Sequence, residues 1–202
     1  MDEGRQRLDF RTVKAKDMKI HPLTPERWAD FEELFGPRGA YGGCWCMWWR
    51  TTRREFENCQ GEKNRQAMKD LVEAGQVPGL IGYVEGQPAA WCALGPRDDF
   101  SSINRSRVLK KLDDTPVWSL PCLFVGKKFR GQNLAEDMIR GAVEYVRKKG
   151  GKIIESYPTV PRRGKLPPVS SFMGFPDVFA RAGFVECARP SEARMIMRRA
   201  ID

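Results

Sequence analysis

The sequence predicts a single mixed α/β domain with helices flanking a sheet, and three observations support this. Segments with the apolar pattern of strands are interspersed with segments whose apolar residues recur at helical spacing. Two apolar runs joined by Glu85-Gly86-Gln87 predict a hairpin of antiparallel strands. A long apolar strand over 117–125 leads through a basic turn into an amphipathic helix. The 202 residues suffice for one such domain and its core.

Local start and stop signals predict the elements of the first half. Residues 1–17 are polar and show no period, so we expect an N-terminal extension there and a domain over 18–202. A short strand over 18–23 precedes Thr24-Pro25, a typical helix start, and an apolar stripe that ends at Gly36-Pro37. A further helical period runs over 54–74, before the hairpin.

The second half alternates strands and helices. Pro121 cannot donate a ladder hydrogen bond from the middle of the 117–125 strand, so we expect a bulge or an opening of the sheet there. We also predict a short helix near 105–109, a long helix over 134–146 that ends in basic residues, and a strand over 152–157. A basic loop over 158–174, a short helix over 176–182 and strands over 184–188 and 192–199 complete the chain.

Composition limits the class of protein. The net charge is +9, which suits nucleic acid, an acidic membrane surface or an anionic small ligand, although plain solubility would also explain it. Apolar runs of about 18 residues and an apolar signal segment are absent from the sequence, so we expect a cytoplasmic protein without membrane contact. Six irregularly spaced cysteines and a single histidine predict buried thiols and no metal site.

Residues 38–50 combine a Gly-Gly pair with three tryptophans and two cysteines. A hinge beside aromatic side chains would suit a binding lid or a pocket wall. The alternative is that these aromatic side chains fill the core. The pattern alone leaves both open.

The segment after the 117–125 strand has the chemistry of an anion cradle. A chain that leaves a strand and enters a helix points free backbone N–H groups at one spot, and the helix dipole adds positive potential. Gly131 permits close backbone approach, and Lys127, Lys128 and Arg130 add charge. A diphosphate is the ligand such a site favours.

This cradle, Arg130-Gly131-Gln132-Asn133-Leu134-Ala135 after Phe124-Val125, resembles the acyl-CoA-binding motif of the GNAT superfamily of N-acetyltransferases. The order of elements over about 18–199 is similar to that of the family. The resemblance implies a central mixed, mostly antiparallel sheet that splays at its middle strands, acetyl-CoA as the acetyl donor, and a coenzyme site that includes the following residues: Leu123, Phe124, Val125, Lys127, Lys128, Arg130, Gly131, Gln132, Asn133, Leu134 and Ala135.

Three positions depart from the family pattern. The second glycine of the motif is Asn133, the residue that best tolerates a left-handed backbone after glycine. The tyrosine that often serves as general acid is replaced by Phe179, and an asparagine seven residues earlier by Phe172. A phenol acting as the acid at that position is therefore excluded.

The resemblance implies that an amine attacks the acetyl thioester directly. A backbone N–H near Cys122, Leu123 or Phe124 would meet the charge on the thioester oxygen. Glu155 and Tyr157 share one face of the 152–157 strand, and we predict them to be the general base and the acid. Structural pairing of Glu155 with a lysine or arginine is the alternative. Cys122 is a further catalytic candidate, and Ser119 a secondary one.

The family places the acceptor over its first helices and the loops between them. This implies an acceptor site formed by Tyr41, Trp45, Trp48, Trp49, Arg50 and Arg97, where aromatic rings would hold an apolar or cationic group and an arginine a carboxylate. We expect a small-molecule amine. A protein or RNA acceptor and a non-catalytic acyl-CoA-binding module are the alternatives, and a homodimer is compatible with the sequence.

Overall fold

The computed structural model describes residues 18–161 and 171–202. They contain a seven-stranded sheet with the strand order β1-β2-β3-β4-β5-β7-β6. The strands are β1 Lys19–Pro22, β2 Gly79–Val84, β3 Gln87–Pro96, β4 Trp118–Val125, β5 Ile153–Ser156, β6 Val185–Ser191 and β7 Arg194–Ala200. The helices are α1 Trp28–Phe35, α2 Arg53–Cys59, α3 Glu62–Glu73, α4 Ser101–Asn104, α5 Leu134–Lys148 and α6 Pro176–Arg181. The predicted extension over 1–17 and the basic residues Arg162, Arg163 and Lys165 lie outside the described residues.

The sheet is mixed and mostly antiparallel, as predicted. Only the β4–β5 pair is parallel among the described strands, and α5 connects the two strands. The sheet opens between these two strands. Their ladder covers only Trp118–Leu120 of β4, opposite Ile154–Ser156 of β5.

Proline explains where this ladder ends. Pro121 follows the last paired residue of β4 and has no N–H to donate. On the other side of β4, the register with β3 shifts between Ala93 and Gly95, close to the same point. The opening predicted at Pro121 is therefore confirmed.

Each face of the sheet carries its own core. The two-residue alternation of the strands sends Leu80 and Cys92 toward α5 and α6, and Ile81 and Trp91 toward α1 and the 38–50 segment. The predicted apolar stripe of α5 is buried in the first core and comprises Leu134, Met138, Ile139, Ala142 and Val146. Among the described residues, no helix has the length and apolar character required to cross a membrane.

Two predicted helices differ from the structure. The single helix predicted over 54–74 is in fact two helices, α2 and α3, which are separated at Gly61. Gly61 has a positive φ of 81°, which breaks the helix, and its N–H donates to Gly43 O at 3.0 Å. The prediction of a helix near 105–109 is wrong. The structure has a single helical turn, α4, just before these residues. The Ser106 hydroxyl accepts from the N–H groups of Val108 and Leu109, so local side-chain hydrogen bonds replace helical ones there.

Candidate active site

A cleft of about 930 Å³ runs along the opening of the sheet. Three parts of the chain form its walls: the segment between α1 and α3, the free edge of β4, and residues 171–178. One end reaches Arg130 and Ala135, and the other end reaches aromatic side chains of the 38–50 segment. The cleft therefore joins the predicted cradle to the predicted acceptor side.

The cradle has the backbone shape that its sequence predicts. Gly131 and Asn133 adopt positive φ angles of 81° and 59°, so asparagine serves here as the left-handed residue. The Asn133 side chain makes no capping hydrogen bond to α5, and this leaves the first amides of the helix available to an anion. Arg130 lies against the strand end, with its Nε donating to Val125 O at 3.2 Å.

The other cradle residues do not line the cleft itself. Leu134 is buried in the core below it. The remaining ones are exposed on the turn at its end and comprise Lys127, Lys128, Gly131, Gln132 and Asn133. They are positioned to contact a ligand that projects from the cleft toward solvent.

One backbone amide of β4 is aimed into the opening. Leu123 N–H donates to Phe172 O at 2.6 Å, on the side away from β3. Because amide directions alternate along a strand, those of Cys122 and Phe124 face β3. Of the three predicted donors, Leu123 is the one whose N–H faces the cleft side.

Glu155 and Tyr157 meet on one face, as predicted, but they lie in a buried network. Both side chains are fully buried, and Tyr157 Oη donates to Glu155 Oε1 at 2.8 Å. Arg97 donates to the same carboxylate oxygen, and Arg198 Nε donates to Oε2 at 2.7 Å. Ser119 Oγ lies 2.7 Å from Tyr157 Oη.

These contacts favour the structural alternative over general-base catalysis. A general base must reach the amine directly or through one water. Both oxygens of Glu155 are bound by arginines, and neither Glu155 nor Tyr157 lines the cleft. Burial and the Glu155 charge raise the pKa of Tyr157, which opposes its ionisation. Arg198 binds the Asp113 carboxylate as well as Glu155, and this hydrogen bond lowers the pKa of Asp113 to about 2.

The aromatic residues of the 38–50 segment divide between the cleft and the core. Tyr41, Trp48 and Trp49 line the cleft. Trp45 does not, because it is buried in the core and stacks on Phe35 with ring centroids 5.8 Å apart. Gly43 provides close backbone contact, since a Cβ there would lie 2.3 Å from Gly61 N.

Arg50 and Arg97, predicted as ligands for a carboxylate of the acceptor, do not line the cleft. Arg50 is buried, donates to Pro78 O at 2.9 Å and lies 4.5 Å above the Phe100 ring. Arg97 is 4% exposed and is bound to Glu155. Core contacts therefore hold both guanidinium groups, although Arg50 Nε has no hydrogen-bond partner among the described residues.

Sequence reasoning missed two parts of the site. Phe172 lines the cleft and binds β4 through its carbonyl, although the sequence marks it only as a departure from the family pattern. Cys46 also lines the cleft, next to Cys122. The sequence could have indicated Cys46, because it lies two residues from Cys44 in a segment that was expected to border a pocket. Within 18–161 and 171–202, no group of three or more His, Cys, Asp or Glu side chains could hold a metal ion.

Comparison with known proteins agrees with this geometry. The family model described as Acetyltransferase (GNAT) family matches residues 45–163. No curated protein matches the sequence closely enough to count as a relative. A GNAT-family acetyltransferase from Streptococcus agalactiae is 16% identical, with a TM-score of 0.52 and coverage of 95% of this chain and 99% of the other.

Two further solved structures carry more specific names. The PaiA N-acetyltransferase from Thermoplasma acidophilum, in complex with coenzyme A, is 15% identical, with a TM-score of 0.51 and coverage of 91% and 98%. A ribosomal-protein-alanine N-acetyltransferase from Brucella melitensis is 16% identical, with a TM-score of 0.52 and coverage of 91% and 99%. At these identities the likeness shows a common fold.

Proposed function

The chain belongs to the GNAT family of acetyltransferases, which use acetyl-CoA, and we propose that it acetylates the primary amine of a small apolar acceptor. The observation that carries the proposal is the continuity of one cleft. It runs from the cradle at α5, past the Leu123 amide, to the aromatic side chains of the 38–50 segment.

The cradle supports a coenzyme diphosphate at the start of α5. Its uncapped amides, the left-handed turn at Gly131 and Asn133, and the charge of Arg130 all favour an anion there. Glu136 in the first turn would oppose an anion, but it is paired with Arg140 and Arg181. The edge of β4 would then run alongside the pantetheine arm toward Cys122 and Leu123.

The proposed reaction needs little from side chains. The amine nitrogen attacks the carbonyl carbon of the thioester, the C–N bond forms, and the C–S bond breaks. The nitrogen loses one proton, which the leaving sulfur takes up, so coenzyme A leaves as the thiol. Negative charge develops on the carbonyl oxygen, and a positioned backbone N–H stabilises it. Leu123 N–H suits this role once Phe172 O gives way to the thioester.

The lining of the cleft supports an apolar acceptor. Trp48, Trp49, Phe56 and Phe172 dominate its inner part, and among the described residues that line it, none is acidic. A polyamine would lose hydration there without a counter-charge. An aromatic or aliphatic monoamine, entering as the neutral amine, fits this surface better.

Trp49 offers a test of the acceptor side. Its side chain lines the cleft, with its ring centroid 6.3 Å from that of Phe172, so the ring is placed to contact an apolar part of the acceptor. We expect Trp49→Ala to raise the KM for the amine about tenfold or more, because apolar contact with a large side chain is worth about 1.5–3 kcal/mol. Trp49→Phe, which keeps a ring, should raise it less. Steady-state kinetics would check this, and an equal rise in the KM for acetyl-CoA would contradict the placement.

Arg130 offers a test of the coenzyme side. We expect Arg130→Ala to raise the KM for acetyl-CoA about tenfold with little change in kcat, because a charged hydrogen bond contributes about 1.5 kcal/mol. Lys148→Ala, at the opposite end of α5, removes the same charge and is the matched control. A similar effect in both variants would point to net charge rather than to the cradle.

The function itself is tested by release of the coenzyme thiol from acetyl-CoA with a panel of acceptors. We expect turnover with an apolar primary monoamine and little with a polyamine or a peptide N-terminus. Fastest turnover with a peptide would favour a protein acceptor. Coenzyme binding without any turnover would favour a non-catalytic module. RNA binding that weakens steeply with salt would favour a nucleic-acid acceptor.

A further inference from the structure

Two cysteines from distant parts of the chain meet in the cleft. Cys46 comes from the segment after α1 and Cys122 from the middle of β4, and both line the cleft. Trp91 Nε1 donates to Cys46 Sγ at 3.1 Å. Cys122 lies opposite Ala93 of β3, two residues along from Trp91, and both cysteines pack in the same core. The two thiols are close enough to affect each other's ionisation.

The backbone holds Cys46 in an unusual conformation. Trp45 and Cys46 have positive φ angles of 42° and 61°, and two successive non-glycine residues in this region are uncommon. Such strain persists where surrounding contacts fix it. Here Trp45 is stacked in the core, and Cys46 N–H donates to Cys44 Sγ at 3.3 Å. The position of the Cys46 thiol is therefore set by the fold.

The two thiols differ in acidity. The interaction with the Cys122 thiol lowers the pKa of Cys46, helped by Trp91 and by the charge of Arg50, and it outweighs the opposing effect of burial. The same interaction raises the pKa of Cys122. Burial raises the pKa of Cys44 to about 11. Cys46 is thus the thiol that ionises most easily in this group, and Cys122 remains protonated beside it.

We propose that Cys46 and Cys122 form a peroxide-sensitive dithiol that closes reversibly to a disulfide in the cleft. The Cys46 thiolate attacks hydrogen peroxide, the O–O bond breaks, and Cys46 becomes a sulfenic acid as hydroxide leaves. The Cys122 sulfur then attacks Cys46 Sγ, the S–O bond breaks, and water leaves with the Cys122 proton. Sulfur loses two electrons in total, and the peroxide gains them.

Formation of the Cys46–Cys122 disulfide would change the shape of the cleft at the place where the acyl group is expected. The two sulfurs must approach to about 2.05 Å, which draws the 44–46 turn and β4 together. Cys122 directly precedes Leu123 in the chain. We therefore expect the oxidised protein to lose acetyl transfer and a reductant to restore it. The modification itself rests on the geometry of the thiols and not on the proposed function.

The test is peroxide treatment of the reduced full chain, followed by thiol counting, intact mass and peptide mapping. We expect loss of two of the six thiols, a mass lower by two hydrogens, and one linked peptide pair that joins Cys46 to Cys122. Dithiothreitol should restore all six. In Cys122→Ser, the sulfenic acid on Cys46 should persist and be trapped by dimedone.

Cys92 provides the matched control. It is fully buried and lies in the core on the other face of the sheet, so Cys92→Ser should lose the same two thiols as the wild-type chain. The proposal is overturned if the wild-type chain keeps both Cys46 and Cys122 as thiols at peroxide levels that oxidise the exposed Cys187. It is equally overturned if the linked pair lacks Cys46 or Cys122, or if Cys46 goes on to sulfinic acid in the wild-type chain without forming a link.

Discussion

Replacing Leu123 by proline is expected to lower kcat for acetyl transfer by about 10²–10³-fold, the loss typical of one oxyanion donor. Besides the leucine side chain, proline removes the N–H that points into the cleft, and it leaves the ladder with β3 intact because this amide is not bonded to β3. Pro121, two residues earlier on the same strand, shows that β4 accommodates proline in this orientation. An interaction made in the transition state lowers kcat far more than it raises KM.

Leu123→Ala is the matched control for this variant. It removes the same buried side chain but retains the amide, so it should lose some stability and keep kcat within about tenfold of the wild-type value. Binding of coenzyme A and thermal unfolding, measured on both variants, separate a lost donor from a damaged fold. Equal kcat values for the proline and alanine variants would rule out the Leu123 amide as the donor.

Glu155→Gln is expected to lower the free energy of unfolding by about 3–5 kcal/mol. The carboxylate is fully buried and binds both Arg97 and Arg198, so its loss leaves the buried Arg97 without a counter-charge, whereas Arg198 keeps Asp113. Removing one partner of a buried ion pair typically costs this much. For a chain of this length the melting temperature should fall by on the order of 10 °C.

The same variant separates the two interpretations of Glu155. If it is structural, kcat well below the melting temperature should stay within a few-fold of the wild-type value. If it is the general base, kcat should fall by about 10²-fold or more. Glu57→Gln, which breaks the exposed pair with Arg53, should leave the melting temperature unchanged. A large loss of kcat with an unchanged melting temperature would restore Glu155 as the base.

The sequence predicts those features that depend on local backbone chemistry. Pro121 lacks a donor, and the sheet opens where that donor would be needed. Asn133 tolerates the left-handed region, and the cradle keeps its turn. The apolar residues of α5 recur at helical spacing in the sequence, and they are buried in the structure. Each of these follows from one residue type or one short period, so the rest of the chain was not needed to predict it.

Long-range contacts decide the features that the sequence could not predict. Trp45 and Trp48 are three residues apart in an irregular segment, where no period says which ring enters the core. In the sequence, Arg50 and Arg97 are candidate ligands for a carboxylate. In the folded chain, Arg50 packs on the Phe100 ring and Arg97 pairs with Glu155. The meeting of Cys46 with Cys122, 76 positions later in the numbering, likewise appears only in the folded chain.

The fold also shows where some of the positive charges of the chain lie. Part of the +9 belongs to Arg50 and Arg97, which are buried among core partners and contribute little to an outer basic surface. Lys127, Lys128 and Arg130 are exposed together at the end of the cleft. The exposed charge next to the cleft therefore suits the phosphates of a nucleotide.

The most direct test is a crystal structure of the chain with a non-hydrolysable thioether analogue of acetyl-CoA. We expect the diphosphate at the start of α5, between Arg130 and Ala135. We expect the acyl oxygen within hydrogen-bond distance of Leu123 N, with Phe172 O displaced from that donor. An intact bond between Leu123 and Phe172, with the acyl group bound elsewhere, would contradict it.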